Sequence, residues 1–203
     1  MCLVPDGDLF KALGDGSASI ITDTVDTFTE NGIKLGSGEE LEADVVVTAT
    51  GLNLLPLGDT DLVVDGQPVR LPDTMGYKGM MLSGVPNMAV SLGYTNASWT
   101  LKCDLTCEFV CRVLNHMEAG GYTQATPRND DPSVLPEPFI DFNAGYVLRS
   151  IDNFPKQGSR TPWRLHQNYA RDILDVRHGK IDDGALVFSR APVGAAPKAP
   201  AAV

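Results

Sequence analysis

The sequence is short of most features that would narrow its function at once. Its three histidines, at 116, 166 and 178, share no metal-ligand spacing. Its four cysteines, at 2, 103, 107 and 111, match neither a zinc pattern nor a disulfide framework. No metal site is expected. Long apolar runs are missing too: none nears the roughly 20 residues of a membrane helix. The opening MCLVPDGDLF has neither the basic patch nor the apolar stretch of a signal peptide. Membrane association is therefore not indicated, and a cytoplasmic location is the default expectation. Positive charge is scarce, with a net charge of −10. Residues 1–100 carry 14 acidic and 4 basic side chains, and residues 101–203 carry 12 of each. A nucleic-acid binder needs a basic face that this chain does not offer. There is no GxSxG and no P-loop. GDGSAS at 14–19 approaches a dinucleotide fingerprint but lacks the third glycine and runs into a strand pattern, so it reads as a turn.

What is present is an ordinary globular composition, 43% hydrophobic and 21% charged, in a chain long enough to bury a core. Residues 8–13, DLFKAL, suit a short helix capped by Asp6 or Asp8 and stopped at Gly14. From Ser17 the pattern alternates: TVDTFTEN, the hairpin signal Asn31-Gly32, GIKLG, and a further turn at SGEELEA predict a β-meander. It feeds into Asp44–Ala49, whose apolar residues suggest a strand buried on both faces, as in a parallel sheet. LVV and VRL flank the turn DGQP, and MMLSGVPNMAVSL holds two short apolar segments, the second read as a strand ending at Gly93.

From Trp99 the apolar period changes from 2 to about 3.6, with Leu101, Leu105, Phe109, Val113, Leu114 and Met117 in phase. This predicts a long helix stopped by Gly120-Gly121, with Glu108 and Arg112 as an i,i+4 pair. Cys103, Cys107 and Cys111 recur every four residues and read as small core-facing thiols on that helix. Residues 122–140 read as a surface loop, and a second helix is expected from about Pro162 to Arg177. Arg149–Lys180 holds seven Lys or Arg against three Asp and would pair with the acidic first half, be solvated, or meet an anionic cofactor. The Ala- and Pro-rich tail, 191–203, is expected to be disordered.

Two places have the form strand, glycine, small polar residues. At Thr50-Gly51 the chain leaves the carboxyl end of the first expected strand, where ligands bind in open α/β sheets. At GYTNAS a glycine turn opens onto the long helix, so backbone N–H groups near Asn96–Thr100 carry the positive end of its dipole. They would stabilise developing negative charge unless Asn96 or Ser98 merely caps the helix.

Together ADVVVTATGLNL, YKGMMLSGVPNMAVSLGYTNASWTLK and GYVLRSIDNFPKQGSRTPWRLHQNY resemble the C-terminal portion of flavin-containing monooxygenases, of the Baeyer–Villiger type and its ethionamide-activating relatives. The likeness runs from about Cys2 to Phe188. It implies an α/β fold: part of a Rossmann-like flavoprotein with two dinucleotide-binding domains. Residues 1–51 would close the NADPH-binding domain and 52–190 would form the C-terminal part of the FAD-binding domain. By the same resemblance Ala49, Thr50 and Gly51 lie near the junction of the two cofactors. Leu52 and Asn53 open the crossover towards a small-molecule substrate. Gly93, Tyr94, Thr95, Asn96, Ala97 and Ser98 lie beside the flavin ring.

The family reaction spends NADPH and O2, through FAD, to insert one oxygen atom into a ketone or pass it to a sulfur or nitrogen compound. The family's two GxGxxG loops, the histidine signature between them and its peroxide-steadying arginine have no counterpart in the sequence. The expectation is therefore a C-terminal fragment that is catalytic only with the missing N-terminal half as partner, and no catalytic residue is assigned. The alternative is a non-catalytic remnant or interaction module that binds no flavin alone. A thioredoxin-reductase-like fragment would share the Ala-Thr-Gly strand but leaves residues 140–180 without a role and needs a cysteine pair absent here.

Overall fold

The computed structural model describes residues 4–190, which fall into two compact units divided between Gly51 and Leu52. In the first unit, helix α1 (Asp8–Gly14) starts after Gly7, and neither Asp6 nor Asp8 caps it with its side chain. Strands β1 (Val25–Phe28), β2 (Gly32–Leu35) and β3 (Glu40–Glu42) then form an antiparallel meander in the order β1-β2-β3. The Asn31-Gly32 turn is closed by Thr29 N–H donating to the Gly32 carbonyl at 2.9 Å. Little is buried: Leu35 is the one buried apolar side chain of this unit among the described residues, and β1 is exposed throughout.

The strand expected at Asp44–Ala49 does not form. Residues 43–55 have no regular secondary structure, and Val45 and Val47 are 78% and 83% exposed. Strand character in an apolar run comes from a neighbouring ladder and a covering face, and no described segment supplies either.

The second unit holds the core. Hairpin β4 (Leu62–Val64) and β5 (Gln67–Val69) turns at Asp65-Gly66, and the short β6 (Gly76–Tyr77) pairs with β7 (Met81–Leu82). The expected strand NMAVSL joins no sheet: Asn87, at φ +54°, donates its N–H to the Ala125 carbonyl, accepts from Ala125 N–H and donates Nδ2 to the Thr123 carbonyl, and Val90 N–H donates to the Met80 carbonyl at 2.7 Å. Helix α2 (Trp99–Gly120) follows and ends as its sequence dictates, with Gly121 N–H reaching the Glu118 carbonyl and Tyr122 N–H the Met117 carbonyl.

Beyond α2, residues 122–140 are more than a surface loop. Strand β8 (Gln124–Pro127) pairs antiparallel with β11 (Leu186–Ser189), and β9 (Pro136–Pro138) with β10 (Lys156–Gly158). Each partner lies far along the chain, so the Pro- and Asp-rich composition conceals the pairing. A turn of helix, α3 (Gly145–Leu148), precedes β10. The second long helix begins late, as α4 (Tyr169–Asp172), where Asn168 caps it by accepting from Arg171 N–H at 3.0 Å, and a π turn (Ile173–Arg177) continues it. Residues upstream are held in a turn because Trp163, 3% exposed, is drawn into the core edge-on to Tyr77, with ring centroids 5.6 Å apart. Burying such a side chain outweighs the helical preference of its neighbours.

The core packs Leu105, Phe109 and Val113 of α2 against Tyr77, Met81 and Trp163. The cysteines are not in it: Cys103 is half-buried and Cys107 and Cys111 are exposed, because the buried face runs through Lys102, Leu105, Thr106, Phe109 and Val113. Nor do Glu108 and Arg112 pair. Arg112 donates to the carbonyls of Val176 and Gly179 at 2.5 and 2.6 Å, and Glu108 accepts from Arg177 at 2.6 Å. The basic stretch thus finds partners between Asp104 and Asp175 rather than in the acidic first half.

Candidate functional site

The GYTNAS loop, residues 93–98, is held from beneath by one buried side chain. Tyr94, 3% exposed, donates its hydroxyl to Asp172 Oδ2 at 2.6 Å, and Lys102 Nζ donates to the same oxygen at 2.8 Å. Lys102 and Asp172 are themselves buried, at 7% and 6%, and the ammonium lies 5.7 Å from the Tyr94 ring centre. A carboxylate taken out of water needs this much satisfaction, because an unpaired buried charge is costly. Burial foremost, then the bond to Asp172, raises the Tyr94 pKa far above the ordinary phenol range, so the hydroxyl is a fixed donor and not a proton carrier.

The loop's upper part is tied to Gln167. Gln167 Oε1 accepts from Thr95 N–H at 3.0 Å and from the Thr95 hydroxyl at 3.3 Å, while Asn96 Nδ2 donates to the Gln167 carbonyl at 3.0 Å. Gln167 has a left-handed backbone, φ +50°, unusual for a residue with a side chain and here imposed by these contacts. Gly93 is required for space: a Cβ there would lie 2.2 Å from the Trp99 ring.

This scaffold presents the N-terminus of α2 with no side-chain cap. Ser98 occupies the N-cap position, but its hydroxyl bonds to the Thr100 hydroxyl at 2.8 Å, and Asn96 is engaged with Gln167. Trp99 and Thr100 are exposed, so the first turn of a 22-residue helix faces outward with unsatisfied donors. Below the loop a cavity of about 50 Å³, water-sized, is lined by Tyr94, Lys102, His166 and Asp172 among others. Burial, then the nearby Arg171 charge, lowers the His166 pKa, favouring a neutral ring whose Nε2 lies 2.9 Å from the Thr161 hydroxyl.

A second grouping repeats the chemistry deeper in the core. Tyr77 donates to Asp183 Oδ2 at 2.7 Å and Lys78 pairs with the same oxygen at 3.2 Å, but this set is packed under α2 with no outward loop above it.

The sequence-derived candidates thus divide. Gly93, Tyr94, Thr95, Asn96, Ala97 and Ser98 form one tethered loop. Ala49, Thr50 and Gly51 end the first unit, exposed, and Leu52 and Asn53 begin the second, also exposed. Gly51 has φ +88°, a conformation that glycine adopts without strain. Lys102, Gln167 and Asp172 were not among the candidates. Lys102 did carry a signal: it lies in phase with Leu105 and Phe109, and a charge on an apolar face demands a buried counter-charge. Among the described residues no three His, Cys, Asp or Glu side chains converge as metal ligands, and no helix is long and apolar enough to cross a membrane.

No family model matches the chain. Known proteins do. The FAD-containing monooxygenase EthA of Mycobacterium tuberculosis is 57% identical over 196 residues, 96% of this chain and 40% of the relative. EthA of Mycolicibacterium smegmatis is 54% identical over 190 residues, and MymA of M. tuberculosis 50% over 192, each match covering 94% of this chain and 39% of the relative. The chain is a relative of part of the FAD-containing monooxygenases. It spans about 40% of the length of the curated relatives it matches. Mixed helix and strand content is in keeping with an α/β fold.

Proposed function

We propose that the chain is the part of a flavin-dependent monooxygenase that receives the ring end of FAD, and that the uncapped N-terminus of α2, held by the Tyr94–Asp172–Lys102 cluster and Gln167, is the receiving surface. The observation that carries this reading is the outward-facing first turn of a long helix whose own loop side chains are all committed elsewhere. Its N–H groups and positive dipole suit the electron-rich edge of a reduced flavin. The residues present fit that end of the cofactor only, since the sequence has no glycine-rich loop for the pyrophosphate. A complementary polypeptide would hold the phosphates and complete the Rossmann-like sheets that residues 44–49 and 88–92 are patterned to join.

Bound FAD, reduced by NADPH, would supply the electrons that divide O2, one oxygen atom passing to a ketone, sulfur or nitrogen compound and the other leaving as water. The chain's own residues orient and exclude. Tyr94 keeps its proton and fixes the loop, Thr95 and Asn96 stay in register through Gln167, and Ala49–Gly51 would border the junction with NADPH. Leu52 and Asn53 would face the substrate.

Titrating FAD into the chain alone, and into the chain coexpressed with the non-matching part of EthA, tests this by flavin absorbance and fluorescence. Flavin retained by the pair but not by the chain alone is the expected result. A well-formed pair that stays colourless would leave the remnant reading in its place.

A further inference from the structure

We infer that the outward face of α2 is a docking surface for the polypeptide corresponding to the part of the FAD-containing monooxygenases that this chain does not match. On a helical projection α2 is apolar over more than half its circumference. One side is the core face already described; the adjoining side carries Trp99, Cys103, Cys107, Val110 and Leu114 with no charged residue among them. Trp99 and Leu114 are 61% and 57% exposed. A helix with two apolar sides is a helix buried on two sides, and here only one is covered.

A cavity of about 260 Å³ opens beside this stripe, lined by Met81, Met88, Ala89, Val110, Leu114 and Met117. Met88 and Ala89, in a segment that joins no sheet, border it, so an apolar recess and backbone outside any ladder lie together. Apart from Lys102, buried on the core face against Asp172, the charged side chains of α2 keep to the remaining arc, where Asp104 and Glu108 are engaged by Arg177. More than half of each relative's length lies outside the match, and that length is the natural cover. A second copy suits the surface less well, because each chain carries a net charge of −10.

This deepens the proposed function and rests on it for the identity of the occupant. The test uses the thiols already on the face. In a Cys2→Ser background, iodoacetamide labelling of Cys107 is followed by mass spectrometry for the chain alone and coexpressed with the non-matching part of EthA. A stable one-to-one complex in which Cys107 labels at least tenfold more slowly is expected. Leu114→Asp should abolish the complex without lowering the melting temperature of the chain alone, since Leu114 is already exposed. No complex, or a complex in which Cys107 stays fully reactive and Leu114→Asp is harmless, overturns the assignment. So does protection that rises with the concentration of the chain alone, which would make a second copy the occupant. FAD is measured in parallel. Protection without flavin uptake keeps the docking face and removes the flavin reading; flavin uptake with Cys107 open does the reverse.

Discussion

Two segments of this chain are written alike: ADVVVTATGLN and NMAVSLGYTNAS each run from a short apolar stretch through a glycine into small polar residues. In the structure they differ in one respect. Residues 44–53 make no hydrogen bond or ion pair among the described residues, whereas 87–98 are pinned at Asn87, Val90, Tyr94, Thr95 and Asn96. Sequence pattern sets the backbone's preference, but the placement of a site comes from distant side chains, in this case Gln167 and Asp172. Only the second segment is preorganised within this chain.

The contrast is broken most severely at Asp172. Asp172→Ala leaves Lys102 and Tyr94 buried without their acceptor and should cost about 3–5 kcal/mol in chemical denaturation. Asp44→Ala, in the other segment, should stay within about 0.5 kcal/mol. Equal effects would erase the distinction. Next come the two glycines. Gly93→Ala must displace the Trp99 ring and should cost about 1–3 kcal/mol, with a change in Trp fluorescence. Gly51→Val meets backbone strain at φ +88°, about 1–2 kcal/mol, and should leave that fluorescence untouched.

Alkaline stability sharpens the comparison further. Burial and their aspartate partners raise the pKa of both Tyr94 and Tyr77, so above the ordinary phenol value of about 10 the unfolded chain loses protons that the folded chain keeps. Stability should be unaffected by these groups below that value and fall above it, by about 1.4 kcal/mol per pH unit for each proton. Tyr94→Phe should remove one proton's share of the slope, read from denaturation curves between pH 9 and 11; an unchanged slope contradicts the burial argument. The smallest effect is expected at Gln167→Ala, about 1 kcal/mol or less, seen as faster amide exchange at Thr95, with no such change for Asn53→Ala.

Much of the fold could be read before the structure: the meander turning at Asn31-Gly32, the turn DGQP, which tightens to Asp65-Gly66 so that Gln67 and Pro68 join β5, and α2 from Trp99 to its glycine stop. Local turn chemistry and helical period carry these elements. The reading failed where a partner is remote or lacking. Val45–Val47 pattern as a strand yet pair with nothing among the described residues, β8 is defined by β11 about 60 residues later, and the cysteine stripe faces outward because Lys102, paired with Asp172, takes the inward place. The loop 93–98 was legible as a candidate; its tethers were not, because nothing local to Gln167 or Asp172 announces what they hold.

The central claim is that the free N-terminus of α2 receives the flavin, and Ser98→Asp tests it most directly. An aspartate at this N-cap supplies the missing cap and should stabilise the helix by about 0.5–1 kcal/mol. The same charge stands where the electron-rich edge of the flavin is proposed to lie. The account predicts a higher melting temperature together with at least tenfold weaker FAD binding by the chain paired with its complementary polypeptide. A raised melting temperature with unchanged or tighter FAD binding would contradict it.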